Sequence, residues 1–240
     1  MSIEWIAFAL CVCVSFTTEA ATGFGSIILA LALGAFFLPL ETMLPVLVSL
    51  NVVMNTCLIS RIFKHIHWPT FLTRIFPLMT TGMVCAWFVL PSTHSPYLLQ
   101  GFALLTLALS LIQLFRVSTT QAKERHPESI WILFAGVVHG LYASGGPLLV
   151  YALSGTPLAK HHLRATLLLT WGVLNLSYVC WFAIRGNLQA YASHIALLSP
   201  LVLISLGVGQ WLHQHIDEAR YKRAVYLLLV VSSTILLIRT

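Results

Sequence analysis

The sequence predicts an all-α polytopic membrane protein: about eight membrane-embedded helical elements in two homologous halves, the first element of each half broken by glycine. Three observations carry this reading. Of 240 residues, 58% are hydrophobic and only 8% charged, whereas soluble domains carry roughly 25% charged residues. The apolar residues gather in runs near the roughly 20 residues that a helix needs to cross a bilayer, and the linkers between them are short. The runs do not alternate as barrel strands would, so the spanning unit is the helix, which pairs its own backbone groups in lipid.

In order, the runs cover residues 3–38, 42–62, 71–90, 97–115, 130–153, 163–184, 191–212 and 221–238. The first is too long for one span. It lacks a basic leading region and carries Glu19, so it reads as mature structure rather than a signal peptide. It is interrupted by ATGFGS at 21–26, where each glycine weakens a helix by roughly 1 kcal/mol. The second run holds Asn51 and Asn55, an i, i+4 pair on one helix face. The third contains Pro77, and the fourth ends at Arg116. A polar stretch, RVSTTQAKERHPES at 116–129, then divides the runs four and four. The fifth run carries His139 and is interrupted by YASGGP at 142–147, in which Pro147 suits a first helical position. The sixth follows His161, His162 and Arg164 and contains Asn175; the seventh contains Pro200, and the eighth leads to Arg239.

An internal repeat follows from this division. PLMTTGMVCAWF from Pro77 matches PLVLISLGVGQW from Pro200, and the same offset pairs Arg116 with Arg239. Nearer the start of each half, Glu19 pairs with His139, Gly25 with Gly145, Leu33 with Leu153 and Asn55 with Asn175. The expected organisation is a first helical repeat at 1–116, a polar linker at 117–129 and a second repeat at 130–240, forming one membrane domain.

Each break ends one half-helix and starts another, but the element can either cross the membrane or turn back. If both cross, Arg61, Lys64, Arg74, Arg116, Lys123, Arg125, Arg185 and Arg239 face Lys160, Arg164, Arg220, Lys222 and Arg223, a weak bias. If both turn back, only Arg185 and Arg239 oppose the remaining basic residues, a proper positive-inside pattern. The second arrangement inverts the halves relative to one another and places both termini away from the cytoplasm.

Two segments carry a family resemblance: GFGSIILALALGAFFLPL from Gly23 and GLYASGGPLLVYALSGTPLAKHHLRATLLLTWGVLNLSYVCWFAIRG from Gly140. In the second, GGP, basic residues, R-A-T and an intramembrane Asn before R-G occur in order. The chain resembles the sulfite exporter TauE/SafE family of membrane transporter permeases over nearly its whole length. The first segment departs from that family's glycine-rich pattern in Phe24 and Ser26. The resemblance implies transport of sulfite or organosulfur anions, sulfonates among them, in a multi-pass protein of a bacterial inner membrane.

The residues point to anion chemistry independently. A helix restarting inside a membrane leaves its first amides unpaired at the positive end of its dipole, and such termini attract anions. The expected substrate site lies between the two breaks: Thr22, Gly23, Phe24, Gly25 and Ser26 from one, Ser144, Gly145, Gly146 and Pro147 from the other, with Asn51, Asn55 and Asn175. The glycines would otherwise serve close helix packing and the asparagines interhelical bonding. Glu19 and His139 are expected to be a proton-coupling pair, charges within spans usually facing a cavity or partner; the alternatives are a snorkelling glutamate and a core histidine. Arg164 either draws anions to an entrance or anchors the cytoplasmic side.

The net charge of +6 sits between apolar runs rather than on a soluble face and does not indicate nucleic acid. The cysteines, Cys11, Cys13, Cys57, Cys85 and Cys180, lie in apolar segments without CxxC spacing, so they read as packing residues rather than disulfides or a metal site. Trp5, Trp68, Trp87, Trp131 and Trp211 are expected at span ends. No cofactor is implied, and no nucleotide-binding motif appears, so transport would run on gradients. A passive anion channel and a membrane-embedded enzyme or assembly factor remain as alternatives, although no HExxH or GxSxG is present. The expected partners are a small anion, the lipid bilayer and, in a homo-oligomer, further copies of the chain.

Overall fold

The computed structural model describes residues 2–89, 96–116, 128–153, 156, 158–215, 223, 226, 227, 229–231, 233, 234, 237 and 238. Its described elements are helical. Helix α1 (Ile3–Thr22) is followed by α2 (Ser26–Gly34) and α3 (Leu40–Ile62). Then α4 (Trp68–Thr70) runs through a π-helical turn into α5 (Phe76–Val89), and α6 is Pro96–Arg116. The second part contains α7 (Glu128–Tyr142), α8 (Gly146–Leu153), α9 (Lys160–Ile184) and α10 (Ala192–His215). The linker expected at 117–129 and its Lys123 and Arg125 lie outside the described residues, apart from positions 128 and 129, which open α7. Arg220, Lys222 and Arg239 are outside as well, and the expected eighth run is described only in part.

Among the described residues, five helical stretches are long and apolar enough to cross a membrane: Ile3–Thr22, Leu40–His65, Trp68–Phe88, His161–Ile184 and Gln189–His215. Their outer faces carry Leu10, Leu72, Phe88 and Ile184 exposed, while Glu19, Asn51, Asn55, His139 and Asn175 are buried. Apolar residues outside and polar residues inside is the distribution a lipid solvent imposes, and the chain is an integral, multi-pass membrane protein.

Both broken elements fold back on themselves. A Cβ on Gly34, at the end of α2, would lie 2.9 Å from Cδ2 of Phe8 in α1, so α2 returns alongside α1. In the second pair the ring of Tyr151 at the end of α8 stands 5.1 Å from that of Trp131 near the start of α7. The reversals share a backbone: Gly23 N–H donates to Glu19 O and Ala143 N–H to His139 O, each at 2.7 Å, and Leu29 and Leu149 each close the next helix on Gly25 and Gly145 at 3.1 Å. Gly23 has φ 90° and Ala143, 120 positions later, φ 49°. Gly23 answers a double demand, because a Cβ there would also meet Cγ of Arg164 at 2.8 Å.

The hairpins enter from opposite ends of the bundle. Near the start of α1, Trp5 stacks on His194 at 3.8 Å, beyond the end of α9; at the start of α7, Glu128 pairs with Arg74 at 3.1 Å, beyond the end of α3. Helices α3 and α9 run antiparallel, joined by Asn175 to Asn51 at one level and by His162 Nδ1–H donating to His65 O, 2.7 Å, at their ends. That contact brings Arg61 and Lys64 to the same end as Lys160 and Arg164. A crossing of both broken elements would separate these four groups.

Helices α5 and α7 pack closely. A Cβ on Gly136 would lie 2.7 Å from Met79 Cα, and one on Gly140 would lie 2.7 Å from Met83 O. Small residues let backbones approach in this way where lipid supplies no hydrophobic drive between helices.

Candidate functional site

The tips of the two hairpins meet. Cβ of Phe24 would stand 3.6 Å from a Cβ on Gly146, and between the tips lies a cavity of about 20 Å3 lined in part by Glu19, Gly25, Asn51, Ser144, Pro147 and Asn175. That is room for about one water molecule. Asn51 falls near the middle of the candidate span Leu40–His65, and Trp171 and Asn175 near the middle of His161–Ile184.

Glu19 is 2% exposed. It does not snorkel to an interface; its carboxylate lies over the start of α2. One oxygen, Oε2, accepts from the Ser26 amide at 3.1 Å and from the Ser26 hydroxyl. The other, Oε1, accepts from Nδ2 of Asn51 at 2.9 Å and of Asn55 at 3.4 Å. Asn51 Oδ1 in turn accepts from Asn55 and Asn175, both at 2.6 Å. The i, i+4 asparagines therefore share a face, and α2 and α3 both supply donors to one buried carboxyl group of α1, as burial of a polar group in lipid demands.

His139 is fully buried and stacks on Trp171, ring centroids 5.7 Å apart at 23°. Tyr178 covers another face at 5.9 Å and donates its hydroxyl to His139 O at 2.9 Å. Neither ring nitrogen makes a well-directed hydrogen bond, and Asn175 adjoins the ring. Trp171 links the hairpins: its Nε1–H donates to Gly23 O at 3.2 Å, while its ring contacts His139 and the Gly146 position. Trp171 was not among the residues singled out from sequence. An apolar ring inside an apolar run gives no local signal of a cross-bundle bond.

The remaining expected residues divide by role. The Thr22 hydroxyl bonds within its own turn, to Thr18 O and Phe24 O at 2.9 Å each, and the Ser144 hydroxyl donates to Tyr142 O at 2.8 Å. Gly145 packs against Ala135 O and His139 Cβ, so this glycine serves close approach. Arg164 does not stand free at an entrance: its guanidinium donates to Ala20 O, placing positive charge at the carbonyl end of α1, where the helix dipole favours it. The carbonyl end of α1 is thus met by the Arg164 cation and the amide start of α2 by the Glu19 carboxyl group.

The model of the sulfite exporter TauE/SafE family matches residues 7–236. A probable sulfite/organosulfonate exporter TauE of Cupriavidus necator is 21% identical over 223 residues, covering 90% of this chain and 86% of that protein. No solved structure matches. A family match over nearly the whole chain, on a fold of packed apolar helices, places this protein in the sulfite exporter TauE/SafE family, whose members are membrane transporters and not enzymes.

Proposed function

We propose that the chain is a gradient-driven carrier of small anions in a bacterial inner membrane, with sulfite and organosulfonates as its substrate class. Substrate would rest at mid-membrane between the hairpin tips, held by the backbone at Gly25, Ser26, Gly145 and Gly146 and by Ser26, Asn51 and Asn175. Glu19 and His139 would exchange protons with the transport cycle. The observation that carries this reading is the meeting of two hairpin tips at a buried polar cluster in the middle of two candidate spans. Discontinuous helices commonly form central substrate sites in secondary transporters. The name of the Cupriavidus relative supports the substrate class.

Residues 1–116 and 130–240 would be two homologous, inverted halves contributing eight elements. The repeated backbone bonds at the two tips and the antiparallel α3 and α9 support that arrangement. Protein in liposomes loaded with sulfite is expected to show saturable exchange with labelled sulfite outside, and Asn51→Ala to abolish it. Flux that neither saturates nor shows counterflow would mean a channel. A thermal-shift comparison of sulfite, sulfate, thiosulfate, sulfonates and carboxylates would rank the substrates, because a ligand stabilises the state it binds.

A further inference from the structure

The Glu19 carboxylate stands where an anionic substrate would have to be held. Its oxygens take the Ser26 amide and hydroxyl at the electropositive start of α2 and the amides of Asn51 and Asn55. A carboxylate accepts hydrogen bonds just as a sulfonate or sulfite oxygen does, so the side chain is chemically a small oxyanion tethered in the site. The cavity beside it, about 20 Å3, has room for about one water, and sulfite brings four non-hydrogen atoms. Two anions side by side in so confined a space would also repel strongly. A second observation concerns the other protonation state: Asn55 Oδ1 is buried and has no donor, and a protonated Glu19 has an O–H to give.

We propose that Glu19 is the resident occupant of the anion site, and that substrate replaces it on Ser26 and Asn51 only when Glu19 takes up a proton and withdraws. Proton and anion binding are then obligatorily linked, one to one, by exchange at the same donors. The inference rests on the anion-carrier reading above. The groups facing Glu19 are few. Helix α2 offers Ser26, α3 offers Asn51 and Asn55, and α10 meets this turn of α1 through Gly209, packed on Ala20. One step further out, α9 carries Arg164, a fixed cation bonded to Ala20 O, and Asn175, bonded to Asn51 Oδ1; His139 of α7, the other buried titratable group, adjoins Asn175.

Methanesulfonate is a suitable probe because it stays ionised throughout the working pH range. Its binding to the purified full chain is measured by calorimetry between about pH 5 and 9, in buffers of differing ionisation heat. The wild type is expected to take up one proton per anion bound and to weaken about tenfold per pH unit above the titration of Glu19. Glu19→Gln is expected to bind with no pH dependence, and more tightly than wild type at the alkaline end. Retention of the wild-type slope in Glu19→Gln, or loss of that slope in His139→Gln instead, would overturn the exchange; so would a folded Glu19→Gln that binds nothing at any pH. Should Glu19→Gln fail to fold, proton uptake by the wild type that persists in His139→Gln decides. Binding without proton uptake removes the exchange and leaves the carrier reading intact, whereas failure of the wild type to bind either methanesulfonate or sulfite removes both.

Discussion

Gly136→Ala tests whether backbone contact between α5 and α7 sets the position of the site. The added methyl would lie 2.7 Å from Met79 Cα and 2.9 Å from Met79 C, and closer still to Met79 O, where ordinary contact begins at 3.4 Å. The obstacle is helix backbone, which cannot rotate aside, so the helices must part by about 1 Å or α7 must twist. Overpacking of this kind costs about 1–3 kcal/mol, and the better helix propensity of alanine returns up to about 1 kcal/mol. A net loss of about 1–2 kcal/mol corresponds to a Tm lower by about 2–8 °C for a chain of this size. Because His139 lies between Gly136 and Gly140 on the same helix and stacks on Trp171, the shift also moves one wall of the site, and methanesulfonate binding should weaken alongside Tm. Gly207→Ala in α10 is the control, since nothing lies within 4 Å of the position; its Tm should match or exceed that of wild type. Equal melting of Gly136→Ala and Gly207→Ala would refute the argument that α5 and α7 are in backbone contact.

Three further outcomes follow from the site. Trp171→Phe keeps a ring against His139 but removes the donor to Gly23 O; it should cost about 1–2 kcal/mol in thermal unfolding and weaken anion binding by loosening one hairpin tip from the other. Arg164→Met leaves the carbonyl end of α1 without its cation and should destabilise by about 1–3 kcal/mol, whereas an Arg164 acting only as a surface anchor would leave Tm unchanged. Ala143→Gly relieves a side chain held at φ 49°, so it should raise stability by up to about 1 kcal/mol; a lower Tm would mean that the Ala143 methyl contributes packing that outweighs the strain.

Part of the candidate site's geometry was legible because its causes are local. Glycines at 23 and 25 in an apolar run mark a helix interruption whatever surrounds them, and both positions adopt positive φ. Glu19 and the three asparagines stood out because polar groups in lipid must find partners, although their sequence did not say which partners. Asn51 and Asn175 are 124 residues apart, and their meeting depends on the rotation and antiparallel course of α3 and α9. The contacts of Gly136 with Met79 and of Trp171 with Gly23 were equally silent. A helix propensity cannot distinguish a glycine that admits a neighbouring backbone from one that faces lipid, such as Gly207.

Composition and hydrophobic run length alone determined that this chain is a bundle of membrane helices with two interruptions, because transfer of apolar surface and pairing of backbone groups are properties of each segment by itself. Only the tertiary structure decided that the interrupted elements double back, that their tips meet from opposite ends, and that Glu19 lies over the start of α2 instead of at an interface. Those outcomes depend on which surfaces of distant helices fit against each other, and a buried carboxylate settles wherever the assembled helices offer it enough donors.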